Sequence, residues 1–321
     1  MWYLNMNAVM AIAGMVVILA LTRWWPHNKR ILLLAFNLCF LFVFNHRLMA
    51  FYLGYTALNY MAFWGLCYLP AGGSRRSSRS SRPMSPPSRR SASWGCRSIQ
   101  PLDTAIFLGL IYNVLKVIDA LYFAYFFGKD AKTKVLDYFN YILFVPTFTS
   151  GPILKFRDFM ADTKRPYRVT SEQTEDSIKR IILGMFKKIV LVTWMTDVFN
   201  HLSKQELHTH ESIFLMVWFY ALIFFDFSGY SDIAVGFGRL MGFNIPENFK
   251  KPFQSPTLTQ YWRNWHATLG DWFRDHIFMF FSRQTPTRWT AAGLSLVIMV
   301  LIGLWHGFSW LYVLWGSITE S

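Results

Sequence analysis

The chain has 321 residues, of which 53% are hydrophobic, 19% aromatic and only 16% charged. Soluble domains carry roughly a quarter charged residues, so this balance excludes a disordered, collagenous, coiled-coil or disulfide-framed chain and argues against an ordinary soluble enzyme. The net charge of +14 does not mark a nucleic-acid binder: seven arginines and no acid fall within 71–100, half of the excess, and Lys and Arg at membrane edges account for the rest. The class that fits is an all-α polytopic membrane protein.

A membrane helix needs about 20 mostly apolar residues. Stretches 6–22, 31–45 and 48–69 give three candidates, so 1–70 reads as an N-terminal block of transmembrane helices. The first lacks a basic leader and a small-residue cleavage site, and reads as a retained helix rather than a signal peptide. Arg23, Lys29 and Arg30 place the first link in the cytoplasm, which puts the N-terminus outside and 71–100 inside. Segment 71–100, with its seven Arg, ten Ser and no Lys, has the composition of a disordered cytoplasmic linker, and equally that of a GC-rich coding stretch read out of frame.

The chain turns apolar again over 106–127, where Lys116 and Asp119 sit at i, i+3 and could pair. Charges at that depth face a bundle interior, a wet cavity or an ion path. Stretch 135–149 is apolar but short and runs into Pro146 and Ser150-Gly151-Pro152, the pattern of a broken or re-entrant element. Residues 155–180 read as a polar surface loop. Within it, Thr170-Ser-Glu-Gln173 is a capping box opening a helix to about Phe199, with Lys187 and Lys188 toward the headgroups. Stretches 212–227 and 291–316 supply further membrane segments. There is no internal repeat, and Cys39, Cys67 and Cys96 form no disulfide or metal pattern.

Three constellations carry polar chemistry in apolar surroundings. Asp226-Phe-Ser-Gly-Tyr-Ser-Asp232 sets two acids, two serines and Tyr230 beside a span, which is costly unless they bond to one another or to a ligand. Tyr261-Trp-Arg-Asn-Trp-His-Ala-Thr-Leu-Gly-Asp-Trp-Phe-Arg-Asp-His-Ile277 reads as one helix with Trp262, His266, Leu269 and Phe273 on a single face. A tryptophan-rich basic helix lies naturally in the membrane interface, which accounts for the aromatics better than for His266. Asp271 and Asp275 can pair with Arg274. Leu301-Ile-Gly-Leu-Trp-His-Gly-Phe-Ser-Trp310 places His306 in an apolar span between Gly303 and Gly307. An ionisable group there is a functional candidate: a neutral imidazole suits a general base, and a structural histidine bonding a carbonyl is the alternative. His208 and His210 with Glu211 are too few for a metal site.

The chain resembles the membrane-bound O-acyltransferase family over about 101–316. The resemblance rests on YFNYILFVPTFTSGPI (138–153), FFDFSGYSDIAVGFGRLMGFNIPENF (224–249), YWRNWHATLGDWFRDHIFM (261–279) and GLWHG (303–307). It points to the bacterial branch, which includes alginate and peptidoglycan O-acetylases and the D-alanyl transfer protein of teichoic acid modification. It implies a ring of transmembrane helices, with re-entrant and interfacial helices, around a central tunnel. It implies catalysis by His306 with His266 as the second functional histidine, and a substrate-binding set of Asp226, Tyr230, Asp232, Trp262, Arg263, Asn264, Trp265 and Trp305. It also implies a bacterial cytoplasmic membrane location. No metal and no tightly bound cofactor follow from it. The co-substrate is an acyl thioester, on an acyl carrier protein or on CoA, at the cytoplasmic face. The acceptor is a hydroxyl of an extracytoplasmic polymer, reached directly or through a partner transferase. Lys116 and Thr149-Ser-Gly-Pro152 lean to the D-alanyl type, and Arg274-Asp-His-Ile-Phe-Met279 lacks the Pro-Leu-Gly-Gly run of the acetylases. Relatives continue past the position of Ser321, so 101–316 is expected to be the core, 317–321 a tail, and C-terminal helices missing. An inactive remnant and a multi-helix transporter or channel are the other readings.

Overall fold

Every regular element is helical among the residues that the computed structural model describes: 6–22, 28–69, 101–149, 151–206, 208–278, 281 and 287–306. The Arg/Ser-rich stretch 71–100, link residues 23–27, Gly307 and the tail 317–321 lie outside the described residues, and the expectations attached to them lie there too.

The N-terminal helices follow the apolar runs closely: α1 (Met6–Leu21), α2 (Asn28–Phe44) and α3 (His46–Tyr68). Asn45 separates the last two. Its side-chain oxygen accepts the Arg47 and Leu48 amides at 2.8 and 3.1 Å, which supplies partners for donors that a helix start leaves unpaired. Next comes α4 (Pro101–Phe127), then the short α5 (Val135–Ile142) and a 3₁₀ turn, Val145–Thr147, with Pro146 at its second position. This is the broken element expected from the sequence. It is buried, so its polar groups need internal partners. Asn140 donates to the Arg30 carbonyl at 2.9 Å and accepts from Asn37 Nδ2 at 3.4 Å, while Asn37 Oδ1 accepts the Val145 amide at 3.3 Å. Around it Phe63, Tyr138, Tyr141, Phe144, Phe156 and Phe159 pack as tilted and edge-on rings.

Residues 155–180 are not one surface loop. Phe156–Lys164 forms α6, which buries Phe156, Phe159, Met160 and Thr163. Those positions have the i, i+3, i+4, i+7 spacing of an amphipathic helix, masked in the sequence by Arg157, Asp158, Asp162 and Lys164. The capping box does form: Thr170 Oγ accepts the Gln173 amide at 3.2 Å, and Gln173 accepts the Thr170 amide at 3.1 Å. It opens α7 (Ser171–Met185), which runs through a π turn, Phe186–Leu191, into α8 (Val192–Leu202).

Helix α9 (Thr209–Leu240) is longer than the expected span and contains the whole Asp226–Asp232 motif within one unbroken helix. It lies along α7 with backbones in close approach. A Cβ built on Gly184 would stand 2.6 Å from the Gly229 carbonyl oxygen, and one on Gly229 would stand 3.0 Å from the Gly184 carbonyl oxygen. The loop 241–257 leads to α10 (Leu258–Asn264), α11 (Ala267–Phe273), a π turn Arg274–Phe278, and α12 (Arg288–His306). The stretches Gly109–Ala131 and Thr209–Leu240 are long and apolar enough to cross a membrane, and Met10–Leu21 and Ala292–Trp305 are shorter apolar helices.

The close crossing gives a prediction. Gly184→Ala should destabilise the protein by about 1–3 kcal/mol through overpacking. Gly54→Ala, where a Cβ meets nothing within 4 Å, should be neutral or stabilising by up to about 1 kcal/mol. Thermal unfolding in detergent checks both; equal midpoints for the two variants would show that α7 and α9 do not cross at these glycines.

Candidate active site

The tryptophan-rich segment is not a single helix. α10 ends at Asn264, Trp265 is extended, and His266 adopts the left-handed conformation at φ 46°, ψ 46°. The four-residue stripe read through Trp262, His266, Leu269 and Phe273 is therefore cut at His266. A non-glycine residue there costs on the order of 1–2 kcal/mol, so the surroundings must hold it. They do so by hydrogen bonds on its C-terminal side. The Ala267 amide donates to the Asn248 carbonyl at 2.8 Å, and the Leu269 amide to the His266 carbonyl at 3.0 Å. Thr268 Oγ donates to Asn248 Oδ1 at 2.8 Å and accepts the Ile153 amide at 3.0 Å, while Asn248 Nδ2 donates to Ser231 Oγ at 3.3 Å. A buried polar chain thus links residue 153, α11, the loop residue Asn248 and α9.

His266 is 5% exposed. Its ring meets Phe227 edge-on at 4.6 Å and Trp305 edge-on at 5.9 Å, and Trp305 meets Tyr112 at 5.3 Å. Tyr112, Leu115, Ile153, Leu269, Trp272 and Phe273 form a distinct apolar cluster, against which Ile298, Leu301, Ile302 and Trp305 pack. Helices α4, α9, α11 and α12 converge here. His306 closes α12, one residue beyond Trp305. The two motif histidines, 40 positions apart in the sequence, are thus carried to neighbouring parts of the chain.

The other candidate residues divide. Tyr230 is buried and its hydroxyl donates to the Pro146 carbonyl at 3.3 Å. Trp265 stacks flat on Tyr220 at 5.1 Å, within an aromatic group that includes Phe224, Phe249, Phe253 and Tyr261. Trp262 is half-buried against Tyr261. Asn264 donates to Ser255 at 2.9 Å, and Arg263 is exposed. Asp226 and Asp232 face α7 instead. Asp232 pairs with Arg180 at 3.0 Å and with Lys187 at 2.7 Å, and Asp226 pairs with Lys188. Lys187 and Lys188 therefore answer acids on α9 rather than headgroups. Glu247 adds to this network by taking Arg180 and Arg239.

The expected Lys116–Asp119 pair does not form. Lys116 is buried and donates to the Tyr141 carbonyl at 3.4 Å, whereas Asp119 is turned to other elements. It accepts the Phe156 amide and faces the Tyr141 hydroxyl at 3.3 Å and His276 Nε2 at 2.8 Å. The sequence pattern alone does not mark His276, Asn248, Thr268 or Tyr112. Nothing in their local pattern distinguishes them, because their partners lie on remote elements. Arg274 does pair with Asp271 at 2.8 Å and with Asp275 at 3.2 Å. Burial pushes the Asp275 carboxyl up, but Lys155 and Arg274 outweigh it and hold it below the usual carboxylate range. His208 and Glu211 form a cap at the start of α9, and no group of three or more His, Cys, Asp or Glu able to hold a metal occurs among the described residues.

Among the described residues every regular element is helical, apolar spans are present, and the His266 turn meets the end of α12 at a buried junction. The sequence profile of the membrane-bound O-acyltransferase family matches residues 106–319, and the chain belongs to that family. It is 31% identical over 211 residues to a probable alginate O-acetylase of Pseudomonas fluorescens, covering 65% of this chain and 42% of that protein. It is 31% identical over 231 residues to the teichoic acid D-alanyltransferase of Bacillus subtilis, covering 67% of this chain and 58% of that one. The corresponding figures for the teichoic acid D-alanyltransferase of Streptococcus thermophilus are 34% over 195 residues, 56% and 47%. The chain spans less than half the length of the acetylase relatives, and the two kinds of relative match at similar identity.

The left-handed backbone at position 266 can be tested apart from its ring. His266→Gly should be more stable than His266→Ala by about 1 kcal/mol, because only glycine adopts this conformation without penalty. Thermal midpoints that rank the two variants the other way would show that the backbone is not held left-handed.

Proposed function

We propose that the protein is a membrane-bound O-acyltransferase of the cell envelope. It moves a short acyl group, D-alanyl or acetyl, from a cytoplasmic thioester to a hydroxyl of an extracytoplasmic polymer. The convergence of the His266 turn and the Trp305-His306 end of α12 at one buried junction carries this reading. In it His306 is the general base on the acceptor hydroxyl. The proton leaves the hydroxyl as its oxygen attacks the thioester carbonyl, the carbon–sulfur bond breaks, and the thiolate leaves protonated. His266 holds the donor or orients the acceptor. Trp262, Arg263, Asn264, Trp265 and Trp305 line the approach on one side and Tyr230 on another, with the family's ring of helices and central tunnel around them. Asp226 and Asp232 belong to this set through the placement of α9, since their carboxylates are held by Lys188, Lys187 and Arg180.

Residues 1–70 and 101–316 are the membrane blocks in this proposal, joined by 71–100 on the cytoplasmic side. The donor is carried by an acyl carrier protein or CoA, and the location is a bacterial cytoplasmic membrane. A general base contributes about 10²–10⁴-fold. His306→Gln keeps a polar side chain of similar reach and removes the base, so transfer should fall by about two orders of magnitude or more with unchanged membrane insertion. The assay is transfer of radiolabelled D-alanyl and acetyl groups from thioester donors to envelope fractions, run on the full chain and on a longer relative carrying the same change. Retention of more than about a tenth of the relative's activity would remove His306 from the base role.

A further inference from the structure

His276 lies ten residues beyond His266, on the π turn that follows α11, and both of its ring nitrogens are engaged. Nδ1 stands 2.8 Å from the Trp272 carbonyl, and Nε2 stands 2.8 Å from Asp119 Oδ1. A carbonyl oxygen only accepts, so Nδ1 carries a hydrogen and donates; Nε2 faces the carboxyl group. The His276 and Asp119 side chains are 6% and 12% exposed. Asp119 meanwhile accepts the first amide of α6, from Phe156.

A second anchor repeats this one a turn away. Trp272 stacks on the His276 ring at 4.4 Å and 16°, and its Nε1 donates to the Leu115 carbonyl at 3.2 Å. Trp272 and His276 are four residues apart on the α11 segment, and Leu115 and Asp119 are four apart on α4. Two bonds in matching register fix the segment along α4 as well as against it. The groups around the His276 ring are Tyr122 at 4.8 Å, the Tyr141 hydroxyl on the shared carboxylate, and the neighbouring Lys155–Asp275–Arg274 ion pairs. Lys116 lies one turn before Asp119 on α4.

The other end of α11 is His266. We propose that His276 is a positioning residue: by locking the α11 segment in register on α4 through Asp119, it sets where His266 stands in the junction. Its effect on turnover rests on the acyltransferase reading, whereas its effect on the place of His266 does not. A misplacement of about 1 Å far from the chemistry can cost about a hundredfold in rate.

The test uses the full chain with nitrogen-15-labelled histidine in lipid nanodiscs, together with Asp119→Asn, His276→Gln and His276→Leu. The wild type should show one ring with a fixed Nδ1 hydrogen. His276→Leu should remove that signal, and Asp119→Asn should shift the Nε2 signal of the same ring. In both variants the ring signals of His266, assigned through His266→Gln, should move. His276→Gln retains a donor toward Asp119 and should move them less. Unmoved His266 signals in His276→Leu overturn the proposal whatever a transfer assay gives. With radiolabelled thioester donors, His276→Leu should lower kcat by about ten- to a hundredfold and leave donor KM within about threefold, with partial recovery in His276→Gln. The double variant Asp119→Asn/His276→Leu should be no worse than the worse single one. Losses that multiply instead show that the two residues act separately and overturn the pairing. Should Asp119→Asn fail to insert, His276→Gln and His276→Leu decide alone, since neither removes a group that Phe156 or Tyr141 uses.

Discussion

The junction depends on one backbone conformation, the left-handed turn at His266. It ends α10, starts α11 in a new direction, and delivers the ring against Phe227 and Trp305. A strained residue persists only where its neighbours over-determine it. Here Asn248 does this with three groups: its carbonyl takes the Ala267 amide, its Oδ1 takes Thr268, and its Nδ2 reaches Ser231. Thr268 extends the hold to the Ile153 amide, next to Pro152 of the broken element. The residues that place the imidazole are therefore an amide and two hydroxyls, and no charge is needed beside it.

Two networks of charges lie elsewhere among the described residues. One lies between α9 and α7 with its following π turn, where Arg180, Lys187 and Lys188 meet Asp226 and Asp232, with Arg239 and Glu247 beside them. The other is centred on Asp119 and joins α4, α6 and the turn after α11. A buried charge without a partner is expensive, and breaking such a pair is strongly destabilising even where forming it gains little. These networks therefore fix which helix faces which more than they add net stability. The π turn at 186–191 carries the adjacent Lys187 and Lys188, whose partner acids are six residues apart on α9.

Much of this architecture is visible in the sequence, because apolar length and local caps are local signals. The three N-terminal helices, the broken element at 135–149 and the Thr170 cap follow from residues that touch one another along the chain. The family likeness is equally local, since its motifs are contiguous. What escapes is everything set by pairing between distant elements. Lys116 and Asp119 look like a couple at i, i+3, yet Asp119 finds three donors from other elements and has no need of the lysine. Helical periodicity runs smoothly from Tyr261 to Ile277, and no glycine or proline marks the break at His266. Hydrogen bonds with remote residues, among them those to Asn248, hold it.

The Asp226–Asp232 motif shows the same limit in one helix. Read as a string, its acids, serines and tyrosine form one polar cluster. Wound into α9, they separate. Asp226, Gly229, Asp232 and Gly236 turn to α7 and the π turn that follows it, where the glycines allow close approach and the acids meet Arg180, Lys187 and Lys188. Phe227, Tyr230 and Ser231 turn toward His266, Pro146 and Asn248. The first group sets how tightly α9 is clamped, and the second is what the clamped helix presents to the junction. A change at either acid acts on the site through the position of α9, whereas a change at Phe227 or Ser231 acts on the His266 turn and its supports directly.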